Sequence, residues 1–151
     1  MRFGFELPLL LAAAFRALID ELHEELARRG HPGVRPVHGF ALQAVGGDGA
    51  SVSELGRRLG ISKQAAAKTA AGLEALGYVV REPDPRDGRA QRLLISDRGE
   101  DCLRASAEIF ERLRDRWVAE LGEDRVSALE DDLETIAAGS PRLGDLPGWL
   151  R

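Results

Sequence analysis

Residues 51–99, SVSELGRRLGISKQAAAKTAAGLEALGYVVREPDPRDGRAQRLLISDRG, constrain the fold more than any other stretch, because two helix signals and a hairpin signal follow one another without a gap. Ser51 and Glu54 have capping-box spacing. Val52, Leu55 and Leu59 form the buried stripe of a short helix, and Gly60 can take the left-handed conformation that ends it. Ser62 caps a second helix, expected to run to Leu76 and stop at Gly77. Tyr78-Val79-Val80 and Leu93-Leu94-Ile95 are β-rich runs, and between them lie two prolines and the expected turn dipeptide Asp87-Gly88. Helix-turn-helix followed by a charged hairpin is the plan of a winged helix. In that plan the second helix can enter a major groove while the hairpin reaches a neighbouring minor groove.

The flanks read as helices. Residues 8–29 carry Leu11, Phe15, Leu18, Leu22 and Leu26 at steps of three and four, closed by Gly30. Pro32, Gly33 and Pro36 break the chain. A shorter helix over 36–45 is expected to turn Val37, Phe40, Ala41 and Val45 inward, and Gly46-Gly47-Asp48-Gly49 reads as a loop. A long helix over 97–120 places Leu103, Ala107, Phe110, Leu113, Trp117 and Leu121 on one side. Gly122 breaks it, and a last helix over 123–138 has Val126, Leu129, Leu133 and Ile136 as its stripe; the Gly- and Pro-rich tail 139–151 is expected to fray. The fold class is therefore mainly α with a small β-hairpin wing, the winged part over 36–96 and the helical flanks over 1–35 and 97–151. The first helix is apolar almost all round at its start, so it needs cover on more than one face, from a thick core in one chain or from a second chain.

With 151 residues, 44% of them hydrophobic and 30% charged, the composition is that of a globular protein with a real core. One cysteine excludes an intrachain disulfide framework and fits a reducing, cytoplasmic setting. The run Leu7–Phe15 falls short of a membrane span, and the residues before it do not suit a secretion signal, so it reads as the start of a buried helix. The net charge of −4 is unevenly divided. Residues 51–99 hold nine basic and six acidic groups, a net of +3, which leaves −7 on the other 102 residues. Such asymmetry, rather than total charge, is the electrostatic footprint of a nucleic-acid binder.

The unit resembles the multiple-antibiotic-resistance regulator (MarR) family of bacterial transcription factors. Asp84-Pro85-Arg86-Asp87-Gly88-Arg89 fits that family's Asp-Pro-x-Asp-x-Arg wing signature, and Leu94-Ile95-Ser96-Asp97-Arg98-Gly99 fits its Leu-Thr-x-x-Gly exit in a variant form. Glu54-Leu55-Gly56, Ile61-Ser62 and Leu73-Glu74-Ala75-Leu76-Gly77-Tyr78-Val79 fall at the expected spacings. The resemblance covers about a third of the chain strongly. It implies a homodimer in which first and last helices interlock, double-stranded DNA with a pseudo-palindromic operator as partner, and a small-molecule effector bound between the dimer and DNA regions. It also implies a regulator, usually a repressor, without a cofactor.

The candidate DNA-contacting residues follow from this layout. At the start of the second helix of the motif stand Ser62, Lys63 and Gln64, followed by Lys68 and Thr69. Gln64 suits bidentate bonding to adenine, the lysines suit guanine or phosphate, and alanine methyls suit thymine methyls. Several positions that are polar in the family are alanine here, so base readout is expected to be sparse. Arg57 and Arg58 lie on the helix that crosses the DNA backbone. The wing offers Arg86, Arg89 and Arg92 with Asp87; by resemblance, Arg89 enters the minor groove and Asp87 helps to hold it.

The remaining chemistry is thin. His38, in the second helix, is the candidate effector contact; His23, His31 and His38 have no metal-ligand spacing with each other or with Cys102. Cys102 reads as a buried structural thiol, and Asp131 and Asp132 as a solvated helix face. No catalytic constellation stands out, which argues against an enzyme. The alternative to a DNA-binding regulator is a winged helix that binds protein and no longer reads DNA, which the alanine-rich helix favours and the intact wing opposes.

Overall fold

The computed structural model describes residues 3–138. The order is α1 (Glu6–Arg28), α2 (Pro36–Val45), α3 (Val52–Leu59), α4 (Lys63–Ala75), β1 (Val79–Asp84), β2 (Asp87–Ile95), α5 (Asp97–Leu121) and α6 (Glu123–Ala137). It is a mainly helical chain with one antiparallel hairpin, as the sequence predicts; the expected fraying of 139–151 lies outside the described residues.

The local signals act as their chemistry requires. Ser51 Oγ accepts from the Glu54 amide at 3.1 Å, and Glu54 returns the bond to the Ser51 amide at 3.3 Å. Gly60 ends α3 at φ 64°, ψ 30°. At the end of α4 the Tyr78 amide donates to Leu73 O and the Gly77 amide to Glu74 O, the double bond of a Schellman motif, with Gly77 at φ 79°. The core lies where α1, α2, α3, α4 and α5 meet the base of the hairpin, around Leu26, Leu42, Leu55, Leu73, Tyr78, Leu93 and Ile109. Leu93 also pairs with Ala50 through two backbone hydrogen bonds of 2.8 and 3.0 Å, which fastens β2 to the loop before α3.

Three expectations are corrected. The hairpin reverses at Pro85-Arg86, not at Asp87-Gly88: Asp84 pairs with Asp87, and Asp84 Oδ1 accepts the Arg86 amide at 2.9 Å. Proline presets the backbone for such a turn and the aspartate carboxylate closes it, which leaves Asp87 to begin β2. The next pair is Pro83 with Gln91, so Gly88, Arg89 and Ala90 bulge from the ladder. In α2 the buried residues are His38, Ala41, Leu42 and Val45, with Val37 and Phe40 only half-buried. The helix packs on α3, α4 and α5, and the face towards them carries His38.

The third correction concerns α5. Its buried face is Cys102, Ala105, Ile109 and Leu113. Most of the expected stripe lies to one side: Phe110 and Leu121 are exposed, Leu103 and Trp117 half-buried. Small residues at 99, 102 and 105 let α5 approach the core more closely than its larger side chains would. A further row of apolar residues is left uncovered by this chain. Phe3, Phe5, Leu7, Leu9, Leu10 and Leu11 are 45–65% exposed, as are Leu129, Leu133 and Ile136 of α6 at 37–71%. Arg114 bridges α5 to α6 through Glu123 and Glu130, both at 2.8 Å; these bonds hold both carboxyls below their ordinary range.

Candidate nucleic-acid interface

The second helix of the motif owes its position to small residues. Ala66, Ala70 and Leu73 are its buried side, and Ala66 lies against Gly56 of α3, where an added Cβ would come within 3.4 Å of the Ala66 methyl. The opposite side of α4 is solvent-facing and presents Lys63, Gln64, Ala67, Lys68 and Ala71. Ser62 is exposed, with Oγ accepting the Ala65 amide at 3.1 Å, so its hydroxyl serves the cap. Thr69 is half-buried at the edge of that face. Ser62, Lys63, Gln64 and Lys68 are therefore brought together on one accessible surface, and Thr69 borders it.

The wing tip is organised by two aspartates. Asp84 holds the Arg86 amide and Asp87 holds the Arg89 amide at 3.0 Å. Asp87 thus fixes Arg89 through its backbone, and both guanidinium groups point from exposed residues. Among the described residues, Arg57, Lys63, Lys68, Arg86 and Arg89 form no ion pair within 4 Å. Many of the other described cations are paired; Arg81, for example, meets Glu74 at 2.7 Å.

Two candidates are engaged elsewhere. Arg58 donates to the carbonyl oxygens of Ala44 and Val45, at 2.7 and 3.2 Å, and so caps the C-terminus of α2. Arg92 donates to Asp48 O in the loop before α3, and its Nε is buried without a partner among the described residues. Both cations hold the motif together from within. Sequence spacing alone does not separate them from Arg57 and Arg89, because the partners are backbone carbonyls distant in the chain.

His38 is buried, with Nδ1 accepting the Arg35 amide at 3.1 Å and Nε2 facing Gly72 of α4. Burial, and then the nearby Arg35, push its pKa down from the ordinary histidine value. A small cavity of about 60 Å³ does lie between α1, α2 and α5, but His38 is not in its wall. Its polar lining is His23, Gln43 and Ser106, with Phe40, Phe110 and Cys102 among the apolar groups. The Cys102 thiol is buried, and burial raises its pKa, in agreement with a structural role.

One cluster escaped the sequence reading. His31 is buried, with Nδ1 2.9 Å from Tyr78 Oη and Nε2 2.9 Å from Asp101 Oδ2. Arg98 lies 5.1 Å over the Tyr78 ring and donates to Leu76 O and Gly30 O. His31, Tyr78 and Asp101 come from the loop after α1, the residue before β1 and the start of α5, so no local period links them.

Comparison with known proteins agrees with this geometry. Residues 33–90 match the model of the MarR family. Among solved structures, the transcriptional regulator Tm0710 from Thermotoga maritima is similar over 89% of this chain and 94% of its own, at 26% identity and a TM-score of 0.62. A mutant of MepR from S. aureus, solved bound to an oligodeoxyribonucleotide, shares 15% identity over 93% of this chain and all of its own, at a TM-score of 0.61. CouR from Rhodococcus jostii RHA1, solved bound to p-coumaroyl-CoA, shares 18% identity over 90% and 94%, at a TM-score of 0.64. No curated protein sequence matches the chain. No described helix is long and apolar enough to cross a membrane.

Proposed function

From the match of residues 33–90 to the MarR family model and the winged-helix fold, we propose that the chain is a homodimeric, sequence-specific transcription regulator acting as a repressor. One observation carries the proposal. Arg57, Lys63, Lys68, Arg86 and Arg89, five of the cations without an ion pair among the described residues, belong to the helix-turn-helix and the wing, while the sequence outside 51–99 is net acidic. Unpaired cations on one surface lower the free energy of a polyanion by counterion release. In this role Gln64 and Lys68 meet the major groove, Arg89 with Arg86 the minor groove, and Arg57 a phosphate.

The homodimer is supported by the uncovered apolar rows on α1, α5 and α6, which a second copy would bury in an isologous interface. Two-fold symmetry then presents two copies of α4, and their operator is a pseudo-palindrome with half-sites about 34 Å apart. The cavity between α1, α2 and α5 supports a small-molecule effector that favours one spacing of the two α4 helices over the other. His23, Gln43 and Ser106 replace His38 as the polar contacts of that effector. CouR, a protein of the same fold, was solved bound to p-coumaroyl-CoA.

A gel shift with the DNA upstream of the gene, repeated across salt concentrations, tests this reading. Binding that weakens steeply as salt rises and survives excess competitor DNA supports it. Absence of retention at low salt contradicts it.

A further inference from the structure

We propose that Tyr78, His31 and Asp101 form a proton-sensitive latch that fixes the recognition helix against the long helices and releases it when His31 is protonated. The functional half of this inference rests on the DNA-binding reading; the structural half does not. Tyr78 is fully buried and directly follows the Gly77 turn that closes α4. Asp101 lies in the first turns of α5, and His31 follows α1. The relay therefore joins the end of α4 to both long helices through two hydrogen bonds of 2.9 Å.

The positions of the protons follow from the partners. Asp101 is held below the usual carboxylate range by its bond to His31 and then by Arg104, so it only accepts. Burial pushes the Tyr78 phenol upward, so it keeps its proton. Both bonds are made at once only if Nε2 carries the imidazole proton and Nδ1 accepts from Tyr78. A second proton, on Nδ1, faces the Tyr78 hydroxyl donor to donor. His31 Nδ1 is the acceptor for that hydroxyl's proton, since Arg98 beside it can only donate, so the proton then loses its acceptor in a buried site.

The surrounding charges set the sign. Arg98 lies over the Tyr78 ring, and its cation opposes a second positive charge beside it. Arg104 pairs with Asp101 at 2.7 Å and divides that carboxylate's attraction. Asp101 is half-exposed and screened by water, which weakens its pull on the imidazolium. Arg29, next to the loop, is paired with Glu108, and the buried Cys102 thiol is neutral. His38, buried beside Gly72 of α4, also disfavours a proton, so His38→Asn is measured alongside to separate its contribution. A loss of affinity on acidification that His31→Gln removes and His38→Asn leaves in place is specific to a device of this kind.

The test uses fluorescence anisotropy with a labelled duplex selected by the wild-type protein from a random-sequence library. Between about pH 8 and pH 5, where histidine changes charge, wild-type affinity should fall by about fivefold, the equivalent of one hydrogen bond. His31→Gln, which cannot titrate, should change less than about twofold over the same range. Tyr78→Phe, which removes only the hydroxyl, should flatten the profile too and serves if His31→Gln does not fold. Hydrogen exchange of the Gly77 and Tyr78 amides, corrected for intrinsic rate, reads the latch without DNA and should quicken on acidification only in the wild type. Wild-type affinity that holds or rises in acid, or an acid loss that persists in both variants, overturns the proposal. If selection yields no duplex, the DNA-binding reading fails, and the exchange measurement alone decides the latch.

Discussion

Arg58 donates to Ala44 O at 2.7 Å, while its neighbour Arg57 has no ion-pair partner among the described residues. Two adjacent arginines on one helix thus have different work. Arg58→Ala removes a charged donor from the end of α2 and should lower unfolding stability by about 1 kcal/mol. Arg57→Ala should leave stability unchanged and reduce the slope of log affinity against log salt by about 1. Urea unfolding and salt-dependent DNA binding measure the two separately.

The wing makes a similar division. Arg89→Ala should weaken DNA binding with little change in melting temperature, because Arg89 is exposed and only its backbone amide is engaged. Arg92→Ala should lower both, because Arg92 joins the wing to Asp48 O. Thermal melting alongside anisotropy distinguishes the pair; a melting loss in Arg89→Ala would contradict the assignment.

Leu129 and Leu133 keep 37% and 39% of their surface uncovered within this chain. In a dimer that buries about 2,000 Å² a charge at either is unpaired in an apolar seam. Leu133→Glu should therefore sediment as a folded monomer with DNA affinity strongly reduced. A stable wild-type monomer at micromolar concentration would remove the dimer from the account.

His38 predicts a pH dependence of stability that is separate from DNA binding. Its folded pKa lies below the ordinary value because burial disfavours the charged form. The unfolded chain then binds more protons, so stability holds above about pH 6.5 and falls as the pH drops below it. His38→Asn keeps an acceptor for the Arg35 amide and should reduce the fall. Unfolding free energy measured with urea from neutral to mildly acidic pH checks this.

The elements most legible in the sequence are those whose signals are local. Ser51 with Glu54, Gly60, Ser62 and Gly77 mark the helix ends correctly because a cap involves residues within one turn. The hairpin turn is ambiguous by two residues in the sequence because Asp84-Pro85 and Asp87-Gly88 are both turn-forming, and only strand pairing chooses between them. The inward face of α5 is not legible from periodicity because its apolar residues form two rows: Ile109 and Leu113 pack within the chain, while Phe110 and Leu121 stay on its outside. In the candidate interface the residue types were legible but their engagement was not. Arg58, Arg92 and His38 have partners that only the tertiary fold supplies, and the His31–Tyr78–Asp101 relay spans separations without a period.

In the proposed complex two copies of α4, each flanked by its wing, read one face of a duplex. Hydroxyl-radical footprinting of the wild-type protein on its selected duplex tests it most directly. The account predicts a two-fold symmetric footprint with half-site centres about 34 Å apart, and reduced minor-groove protection at both outer flanks in Arg89→Ala. A footprint without two-fold symmetry, or one unchanged in Arg89→Ala, would contradict it.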